Sequence, residues 1–479
     1  MRVLAIDQGT SATKAAVFGD DGQILASAEV AVTPGPVPGG GIEQDPEQLW
    51  ESVCRAGRQA IAEAGVNVAA IGLANQGETV LAWDRGSGCP LSPAISWQDR
   101  RAATICAELA ERAEILTGIT GLPLDPYFAA PKMTWLRRHV TNEGVVTTTD
   151  SWLLHRLSGA YVTDATTASR TLLLDLDRRD WSEQACHDFG LDPALLPEVV
   201  GCAQPIGETD VFGATMVVSG LCVDQQAALV GEHCLEVGDA KCTFGTGAFL
   251  LANAGEQPRR SSNGLAVSVA WQLGQGAAYC IDGQVYTAGE AIAWLRRWGF
   301  LSRAEDLDSV GSSVPDGGGV TVVPALAGLG APWWQPDARA SIEGICLGTE
   351  PAHVVRATIE GLAAQVAVLA RATGADLGRP LTRLQVDGGL TRSRLLMQTQ
   401  ADLLQIPVEV APSLDATALG VGALARLGAG DGDSLFDVVR PMTAQIRFEP
   451  TISATEAATR LERFEEAVAR LPNKRKVTS

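Results

Sequence analysis

A strand, a glycine–threonine turn and a second strand occur twice in this chain, once near the N-terminus and once in the second half. The first turn contains Gly9 and Thr10, and the second contains Gly245 and Thr246. Glycine lets a backbone approach an anion closely, and threonine adds a hydroxyl donor. A single turn of this kind is usually only a turn. Two of them in matching positions of two halves predict a duplicated fold that closes on a nucleotide.

The length and the composition agree with two halves. A chain of 479 residues, of which 46% are hydrophobic, is long enough for two or three cores rather than one. Strand-like and helix-like patterns alternate along it, which predicts an α/β protein with layered architecture. We expect the division just before the second turn, with one domain in residues 1–232 and the other in residues 233–479.

Charge, hydropathy and cysteine spacing exclude several classes of protein. The net charge of −19 disfavours a nucleic-acid partner, because phosphate backbones bind basic surfaces. No run approaches about 18 apolar residues, so no membrane span is expected. A strand begins by residue 3 without signal-peptide architecture, which predicts a cytoplasmic protein. The ten cysteines form no C-x-x-C pair and lie beside no histidine cluster, so we expect neither a zinc site nor a disulfide framework.

Asp224 and Gln225 place a carboxylate beside a carboxamide where an apolar run turns into a helix. Residues 217–221 are typical of a strand and a turn, and residues 227–230 are typical of a helix. The positive end of the helix dipole would keep Asp224 ionised, so that it can take a proton from a bound hydroxyl. The alternative that these residues leave open is that Asp224 only caps the helix.

Two further patterns predict the start of the first long helix. Residues 33–41 are rich in proline and glycine and predict a loop. Asp45 then has the character of a helix cap, with Pro46 at the first helical position. Gln48 completes a pattern similar to a capping box. The apolar spacing that follows predicts a helix through about Ala64.

Two apolar runs at residues 68–74 and 94–96 are predicted strands that end in polar segments. Residues 75–79 and 97–101 follow these strands and so lie at their C-terminal ends. Ligands of open α/β sheets bind at this edge. The basic residues 474–476 at the end of the chain are interpreted as a solvated tail and not as a binding signal.

A colinear series of motifs carries a resemblance to a known family. The motifs are IDQGTSATK (6–14), NQGETV (75–80), AISWQDRR (94–101), TGLPLDPYF (120–128), DSWLLHRLSG (150–159), ASRT (168–171), DQQAAL (224–229), FGTGAFLL (244–251), PALAGLGAPWW (324–334) and VDGGLTRS (386–393). In this order they are similar to the FGGY family of carbohydrate kinases and, within it, to the glycerol kinases. The resemblance covers residues 3–427 and is specific, because chance does not place ten motifs in order.

The resemblance implies a fold and a reaction. The fold is two actin-like, ribonuclease-H-like α/β domains that face each other across a cleft for nucleotide and substrate. The reaction is ATP-dependent phosphorylation of a terminal hydroxyl of a small polyol or sugar, with Mg²⁺. A homodimer and a homotetramer are the assemblies that the resemblance suggests.

The resemblance also assigns roles to matching positions. Asp224 matches the catalytic base, and Asp7 matches the carboxylate that holds Mg²⁺ through water. The acceptor contacts are Gly77, Glu78, Trp97, Tyr127, Asp224, Gln225 and Phe249. The ATP contacts are Thr10, Ser11, Lys14, Gly245, Thr246, Gly328, Gly330, Gly388, Gly389 and Ser393. From the residues alone, Asp7 and the paired glycines would also suit simple turns, and the aromatic residues would also suit a core.

Three positions depart from the glycerol kinase pattern. Lys14 stands where arginine is common, Ser393 where asparagine is usual, and Gly77 where an arginine binds substrate hydroxyls. Losing that arginine weakens glycerol binding by about 1–3 kcal/mol. It also leaves room for a four- or five-carbon polyol or ketose, and we expect such an acceptor to be turned over at least as well as glycerol.

Two further consequences concern regulation and an alternative function. Residues 208–216 contain neither a basic residue nor a histidine, so control by fructose bisphosphate or by phosphorylation is not expected there. A pattern similar to xylulokinases is absent at residues 74–79. The alternative from another class is an actin-like ATP-binding regulator without kinase activity, and the intact Asp7 and Asp224 count against it.

Overall fold

The computed structural model describes residues 1–412, 415–441 and 443–472; the basic residues 474–476 lie outside this range. The strands are β1 (Val3–Gln8), β2 (Ala12–Phe18), β3 (Ile24–Ala31), β4 (Gly35–Val37), β5 (Gly41–Gln44), β6 (Ala70–Asn75), β7 (Val80–Trp83), β8 (Ala94–Ile95), β9 (Val145–Thr148), β10 (Val162–Asp164), β11 (Leu174–Asp175), β12 (Asp180–Trp181), β13 (Glu198–Val200), β14 (Ala203–Thr209), β15 (Met216–Val223), β16 (Ala240–Phe244), β17 (Ala248–Gly255), β18 (Ala266–Leu273), β19 (Gly276–Val285), β20 (Thr321–Val323), β21 (Ser341–Glu343), β22 (Leu384–Asp387), β23 (Val408–Val410) and β24 (Ile446–Phe448). The helices are α1 (Pro46–Ala64), α2 (Ala103–Glu108), α3 (Ala113–Thr120), α4 (Ala129–His139), α5 (Thr149–Ser158), α6 (Ala165–Ala168), α7 (Glu183–Phe189), α8 (Asp224–Gly231), α9 (Gly289–Arg297), α10 (Leu307–Gly311), α11 (Pro351–Leu377), α12 (Arg394–Leu404), α13 (Ala416–Gly428), α14 (Leu435–Val438) and α15 (Ala454–Ala469).

Two large sheets repeat one topology, which confirms the predicted duplication. The first has the order β3-β2-β1-β6-β15-β14, and the second has β18-β19-β17-β16-β22-β23-β24. In each, the hairpin strands β1/β2 and β16/β17 are antiparallel. The first hairpin strand pairs in parallel with β6 or β22, which pairs in parallel with β15 or β23. Strands β14 and β24 close the pattern in antiparallel pairs.

The prediction of a loop at residues 33–41 is wrong. Strands β4 and β5 form a hairpin there, at the edge of a third sheet with the order β4-β5-β8-β7-β9. Proline is tolerated on an edge strand because its missing N–H removes no bond to an inner neighbour. Gly39 and Gly40 form the turn with φ of 80° and 79°, which other residues rarely adopt. The proline and glycine residues of this segment therefore belong to a hairpin and not to a loop.

Helix α1 begins and runs as the sequence predicts. The Asp45 side chain accepts a hydrogen bond of 3.0 Å from the amide of Glu47, and Pro46 is the first helical residue. The helix ends at Gly65, whose φ is 63°. The capping box is not formed, because the Gln48 side chain instead accepts from the amide of Thr33. This bond ties the β3 end to the helix.

Packing between the two halves crosses the division at residue 232. Helix α13 belongs to the second half of the sequence but packs on the first sheet, where Val421 and Leu424 share a core with Val3 and Ala70. A Cβ atom on Gly420 would lie 1.8 Å from the carbonyl oxygen of Ala227. The backbones of α13 and α8 therefore touch, so residues from both halves of the sequence hold the segment that begins at Asp224.

Helix α11 is long and apolar enough to cross a membrane by length and composition, but most of it is buried in the second core. The core helix of a globular domain passes the same test. The cysteines at all ten positions are free thiols, as expected.

Candidate active site

Parallel strands bring three polar segments to one edge of the first sheet. In the register of the sheet, Gln8 lies opposite Asn75, and Asn75 lies opposite Val223. The residues that follow these three strands, including Asp224, must therefore meet. In the second sheet, Thr243 lies opposite Asp387 in the same way. The C-terminal ends of both sheets face the cleft, where open α/β sheets place their ligands.

Asp224 is the first residue of α8, and Val223 precedes it as the N-cap residue. The Asp224 side chain accepts a bond of 2.7 Å from the amide of the next residue, Gln225. A capping carboxylate would instead bind the second or third amide of the helix, so the capping alternative does not describe this residue. Burial raises the pKa of Asp224 to about 6, and the Lys241 ammonium opposes this rise. A carboxylate with that pKa is a suitable general base near neutral pH.

Lys241 fixes the orientation of Gln225. The buried Lys241 ammonium donates to Oε1 of Gln225 over 2.6 Å and to the hydroxyl of Thr243 over 2.8 Å. Since an ammonium can only donate, it must face the carbonyl end of the carboxamide. The NH₂ end of Gln225 therefore faces Asp224, whose pKa it helps to lower, and the second N–H of this group remains for an acceptor. The sequence interpretation did not include Lys241, although an isolated lysine in an apolar strand was a signal.

The turn after β6 is strained and tightly held. Glu78 has a φ of 59°, in the left-handed region that side chains rarely adopt. The amide of Thr79 donates to the carbonyl of Gly77, and the hydroxyl of Thr79 donates to Oε1 of Gln76. This hydroxyl also accepts from the amide of Trp97. The turn thereby sets the positions of both Glu78 and Trp97.

The predicted aromatic residues form one cluster. The Trp97 ring makes edge contacts with Tyr127 and with Phe249, each at 5.8 Å between ring centroids. Trp97 Nε1 also donates to the hydroxyl of Thr10 over 2.8 Å, which joins the cluster to the first glycine–threonine turn. Phe249 comes from the second half of the chain, so both halves build this apolar wall.

Six residues that the site prediction missed complete the pocket: Arg170, Val223, Gln226, Leu251, Asp282 and Gln284. Arg170 donates from Nε to Glu78 over 2.7 Å and from Nη1 to Asp282, and it is buried with both carboxylates. Gln284 follows Asp282 on β19. The enclosed cavity measures about 20 Å³ and is lined by Glu78, Tyr127, Arg170, Val223, Asp224, Gln225, Gln226, Phe249, Leu251, Asp282 and Gln284. The ASRT motif contained Arg170, but sequence alone did not show that it enters the pocket.

The space beside Gly77 is narrower than the sequence suggested. A Cβ atom there would lie 2.9 Å from Cγ2 of Val223, a side chain that can move. Val223 also lines the cavity, whereas Gly77 is not among the lining residues. Val223 thus fills part of the room that the absent arginine was expected to leave.

Negative charge accumulates around Asp7. Burial and repulsion from Asp224, Asp415 and Asp387 raise its pKa to about 7, and Lys14, its partner in the β1/β2 ladder, opposes this rise. A cation placed among these carboxylates would relieve the repulsion. In the described residues, no three His, Cys, Asp or Glu side chains are arranged to ligate one ion together. Carboxylate oxygens are ligands that Mg²⁺ prefers, so Asp7 and its acidic neighbours fit this ion.

The predicted nucleotide glycines divide into two groups. A Cβ atom on Gly245 or on Gly389 would meet nothing within 4 Å among the described residues, so a phosphate or base can approach there. Gly328, Gly330 and Gly388 have a packing reason instead, because a Cβ atom on each would lie 2.1–2.7 Å from a carbonyl oxygen of the protein. Close packing of the backbone accounts for the second group without any ligand.

Ser393 has a structural role at the start of α12. Its hydroxyl accepts from the amide of Leu396 over 3.1 Å and donates to Asp308. The Ser393 side chain is therefore engaged in the fold. At the other turns, Ser11 and Thr246 are exposed, and the carbonyls of Gly245 and Thr246 accept from amides at the start of α9.

A duplicated ribonuclease-H-like fold with a buried carboxylate in a pocket lined by both halves is typical of one class, the two-domain actin-like kinases. Comparison with known proteins gives the family. The description "FGGY family of carbohydrate kinases, N-terminal domain" matches residues 2–231, and that of the C-terminal domain matches residues 240–429. This chain belongs to the FGGY family of carbohydrate kinases.

The similar proteins include glycerol kinases from several organisms. Glycerol kinase of Thermus brockianus is 43% identical over 467 residues, covering 94% of each chain. Glycerol kinase of Methylibium petroleiphilum is 41% identical, covering 97% of this chain and 98% of its own. The crystal structure of Plasmodium falciparum glycerol kinase with ADP has a TM-score of 0.89 at 30% identity, covering 98% of each chain. The predicted fold and ATP-dependent, glycerol kinase-like activity are confirmed.

Proposed function

We propose that this enzyme transfers the γ-phosphate of ATP to a terminal hydroxyl of glycerol. The observation that supports this proposal is a cavity of about 20 Å³ that is lined by a general base, a donor amide, a carboxylate and aromatic rings. These groups suit a small polyol, since hydroxyls can bind the amide and the carboxylates while the carbon backbone packs on the rings. The glycerol kinases among its relatives support the same acceptor.

Each residue of the pocket is proposed to have a part in the reaction. The Asp224 carboxylate takes the proton of the attacking hydroxyl, and the Gln225 NH₂ group donates to an oxygen of the acceptor. The rings of Trp97 and Phe249 cover the carbon backbone and exclude water. Phosphoryl transfer needs mainly such positioning and charge neutralisation.

The two turns are proposed to hold ATP. Gly245 and Thr246 with Thr10, Ser11 and Lys14 would contact the phosphates. Gly389, which has open space beside it, would lie near the base, with Gly388 and Ser393 supporting its turn. Gly328 and Gly330 shape the adjoining loop.

The metal ion is proposed to lie beside the phosphates on the side of the first turn. Asp7 would hold Mg²⁺ through water, and Mg²⁺ supplies charge neutralisation for the transferred phosphate when it is bound. The carboxylates that raise the pKa of Asp7 support this position.

A four- or five-carbon polyol or ketose is the second candidate acceptor. The observation that favours it is Gly77, which lacks the side chain that would limit the pocket on that side. The contact between Gly77 and Val223 counts against it, because only movement of Val223 would open that space.

Acceptor-dependent ADP release tests these proposals. The sequence favoured an acceptor larger than glycerol, but Val223 occupies part of the space beside Gly77. We therefore expect kcat/KM for glycerol to exceed that for every four- and five-carbon polyol or ketose by more than tenfold. The Gly77→Arg variant sharpens the result, since added donors should lower the KM for glycerol and added volume should block a longer acceptor. A longer acceptor that is preferred by the natural protein and rejected by the variant would establish the second candidate. ADP release that no acceptor stimulates would indicate the regulator instead.

The remaining predictions concern the setting of the enzyme. We propose a cytoplasmic enzyme that binds a small polyol or sugar and neither nucleic acid nor membrane. Assembly as a homodimer or a homotetramer stays a prediction, which light scattering of the purified protein checks directly.

A further inference from the structure

The acceptor cavity contains a polar atom that has no hydrogen-bond partner among the described residues. Oε1 of Gln284 is buried and forms no hydrogen bond within the part of the chain that the structure describes. The side chain is only 2% exposed and lines the same cavity as Asp224 and Gln225. A buried carbonyl oxygen without a donor is costly, so such an atom in a ligand cavity points to a ligand that donates to it.

The orientation of the Gln284 carboxamide follows from its neighbour. Gln284 and Asp282 project from the same face of β19, two residues apart, and the Gln284 NH₂ group donates to Oδ1 of Asp282. The other oxygen of Asp282 accepts from Arg170 and from the hydroxyl of Ser268. A carboxylate paired with arginine can only accept, so the nitrogen of Gln284 must face it. Oε1 is therefore the end turned away from Asp282.

The two glutamines of the cavity present opposite ends. Lys241 holds the carbonyl of Gln225, which leaves its NH₂ group available, and Asp282 holds the NH₂ group of Gln284, which leaves its carbonyl. A hydroxyl group both donates and accepts, so a polyol suits this pair. The reacting hydroxyl gives its proton to Asp224 and cannot also be the donor to Gln284.

We propose that Gln284 is a specificity-determining residue whose Oε1 accepts a hydrogen bond from a hydroxyl of the polyol that is not phosphorylated. This proposal rests on the proposed function and identifies a contact that Gly77 cannot supply. Through Gln284, strand β19 would distinguish acceptors by the number and position of their hydroxyl groups. The bond forms across the cleft, because Gln284 belongs to the second half and Asp224 to the first.

The test replaces the carboxamide with an apolar side chain of similar volume, Gln284→Met. The probes are glycerol, propane-1,2-diol and propane-1,3-diol, measured by KM or, where turnover is slow, by inhibition of glycerol phosphorylation. We expect the variant to raise the KM for glycerol about tenfold or more with kcat within a few-fold. One of the two diols lacks the hydroxyl that Gln284 binds, and its constant should be nearly unchanged.

Gln400→Met is the matched control. Gln400 is also a buried glutamine whose Oε1 has no partner in the described residues, but it lies on α12 and not in the cavity. Its replacement should leave all three constants unchanged.

An equal loss for glycerol and both diols in Gln284→Met would overturn the proposal, since structural damage does not distinguish hydroxyls. An unchanged KM for glycerol would overturn it as well. If the variant is inactive, calorimetric binding of the same three probes decides between these outcomes. Failure of the natural protein to phosphorylate any polyol would instead refute the proposed function.

Discussion

The two glycine–threonine hairpins share a backbone and differ in the side chains that flank the turn. In the first, Asp7 lies opposite Lys14, whereas in the second the equivalent Thr243 lies opposite Phe249. The first turn is therefore flanked by charges that suit a metal and a phosphate. The second is flanked by a hydroxyl and by a ring that covers the acceptor. The two duplicated turns therefore offer the same backbone donors, and their flanking side chains give them different roles.

The carboxylates of the two halves come from different strands. Asp7 lies on the hairpin strand β1, opposite the small Ala74 of β6. In the second half the carboxylate is Asp387, on β22, opposite Thr243 of the hairpin. Each half also contributes a lysine on its hairpin, Lys14 or Lys241. Each half thus places a carboxylate and a lysine at the cleft, but from positions that are not equivalent. The two halves are therefore not interchangeable.

The largest expected effect comes from the base that lies between the halves. Asp224→Asn should lower kcat by about 10²–10⁴-fold, because the amide cannot take the proton of the hydroxyl. ATP binding measured by calorimetry should be nearly unchanged, since the phosphate contacts lie elsewhere. Asp210→Asn, at an exposed loop, is the control. Activity of Asp224→Asn within a few-fold of the natural enzyme would remove Asp224 from the mechanism.

Removing the Asp7 carboxylate from the first hairpin should have the next largest effect. Asp7→Asn should lower activity by about 10–100-fold at limiting Mg²⁺, as expected for a residue that acts on a metal through water. Raising the Mg²⁺ concentration should restore part of this loss. Thr243→Val in the second hairpin should not change the dependence on Mg²⁺. An equal Mg²⁺ dependence of both variants would contradict the different roles proposed for the two hairpins.

A smaller effect is expected from Lys241, the charge of the second hairpin. In the natural enzyme, activity should fall as the pH falls through about 6, because the Asp224 base becomes protonated. Lys241→Met removes the cation that lowers the pKa of Asp224, so this pKa rises and the acidic limb of kcat/KM should move up by about one pH unit. Loss of structure alone would lower the whole profile without moving its midpoint. A midpoint that stays in place would exclude this role of Lys241.

The smallest effect is a change in overall dimensions. The acceptor cavity is lined by residues of both halves and has room for about one water molecule, so we expect the halves to move relative to each other when ligands bind. Small-angle scattering should show a smaller radius of gyration with ATP and glycerol together than without ligands. Glycerol alone should give little change, since it contacts few residues. Identical curves at saturating ligands would mean that the hairpins converge without movement of the domains.

Local patterns predicted the elements that local interactions control. The hairpin turns, the cap at Asp45 and the strand that leads to Asp224 follow from residues next to one another in the chain. The hairpin at residues 33–41 was missed because its stability depends on pairing with β8, about fifty residues away in sequence. The role of Ser393 was missed because its partner, Asp308, belongs to another helix.

By itself, the sequence determined the duplicated architecture and the kind of reaction, because both follow from contiguous motifs. It also predicted Asp224 as the base and the aromatic residues as the acceptor wall. The tertiary structure decided how the pocket is made polar. Arg170, Lys241, Asp282 and Gln284 have meaning only through their buried partners, which lie on other strands and helices. A buried donor or acceptor must be satisfied in three dimensions, and the free end of the Gln284 carboxamide is defined only by the contact that its other end makes with Asp282.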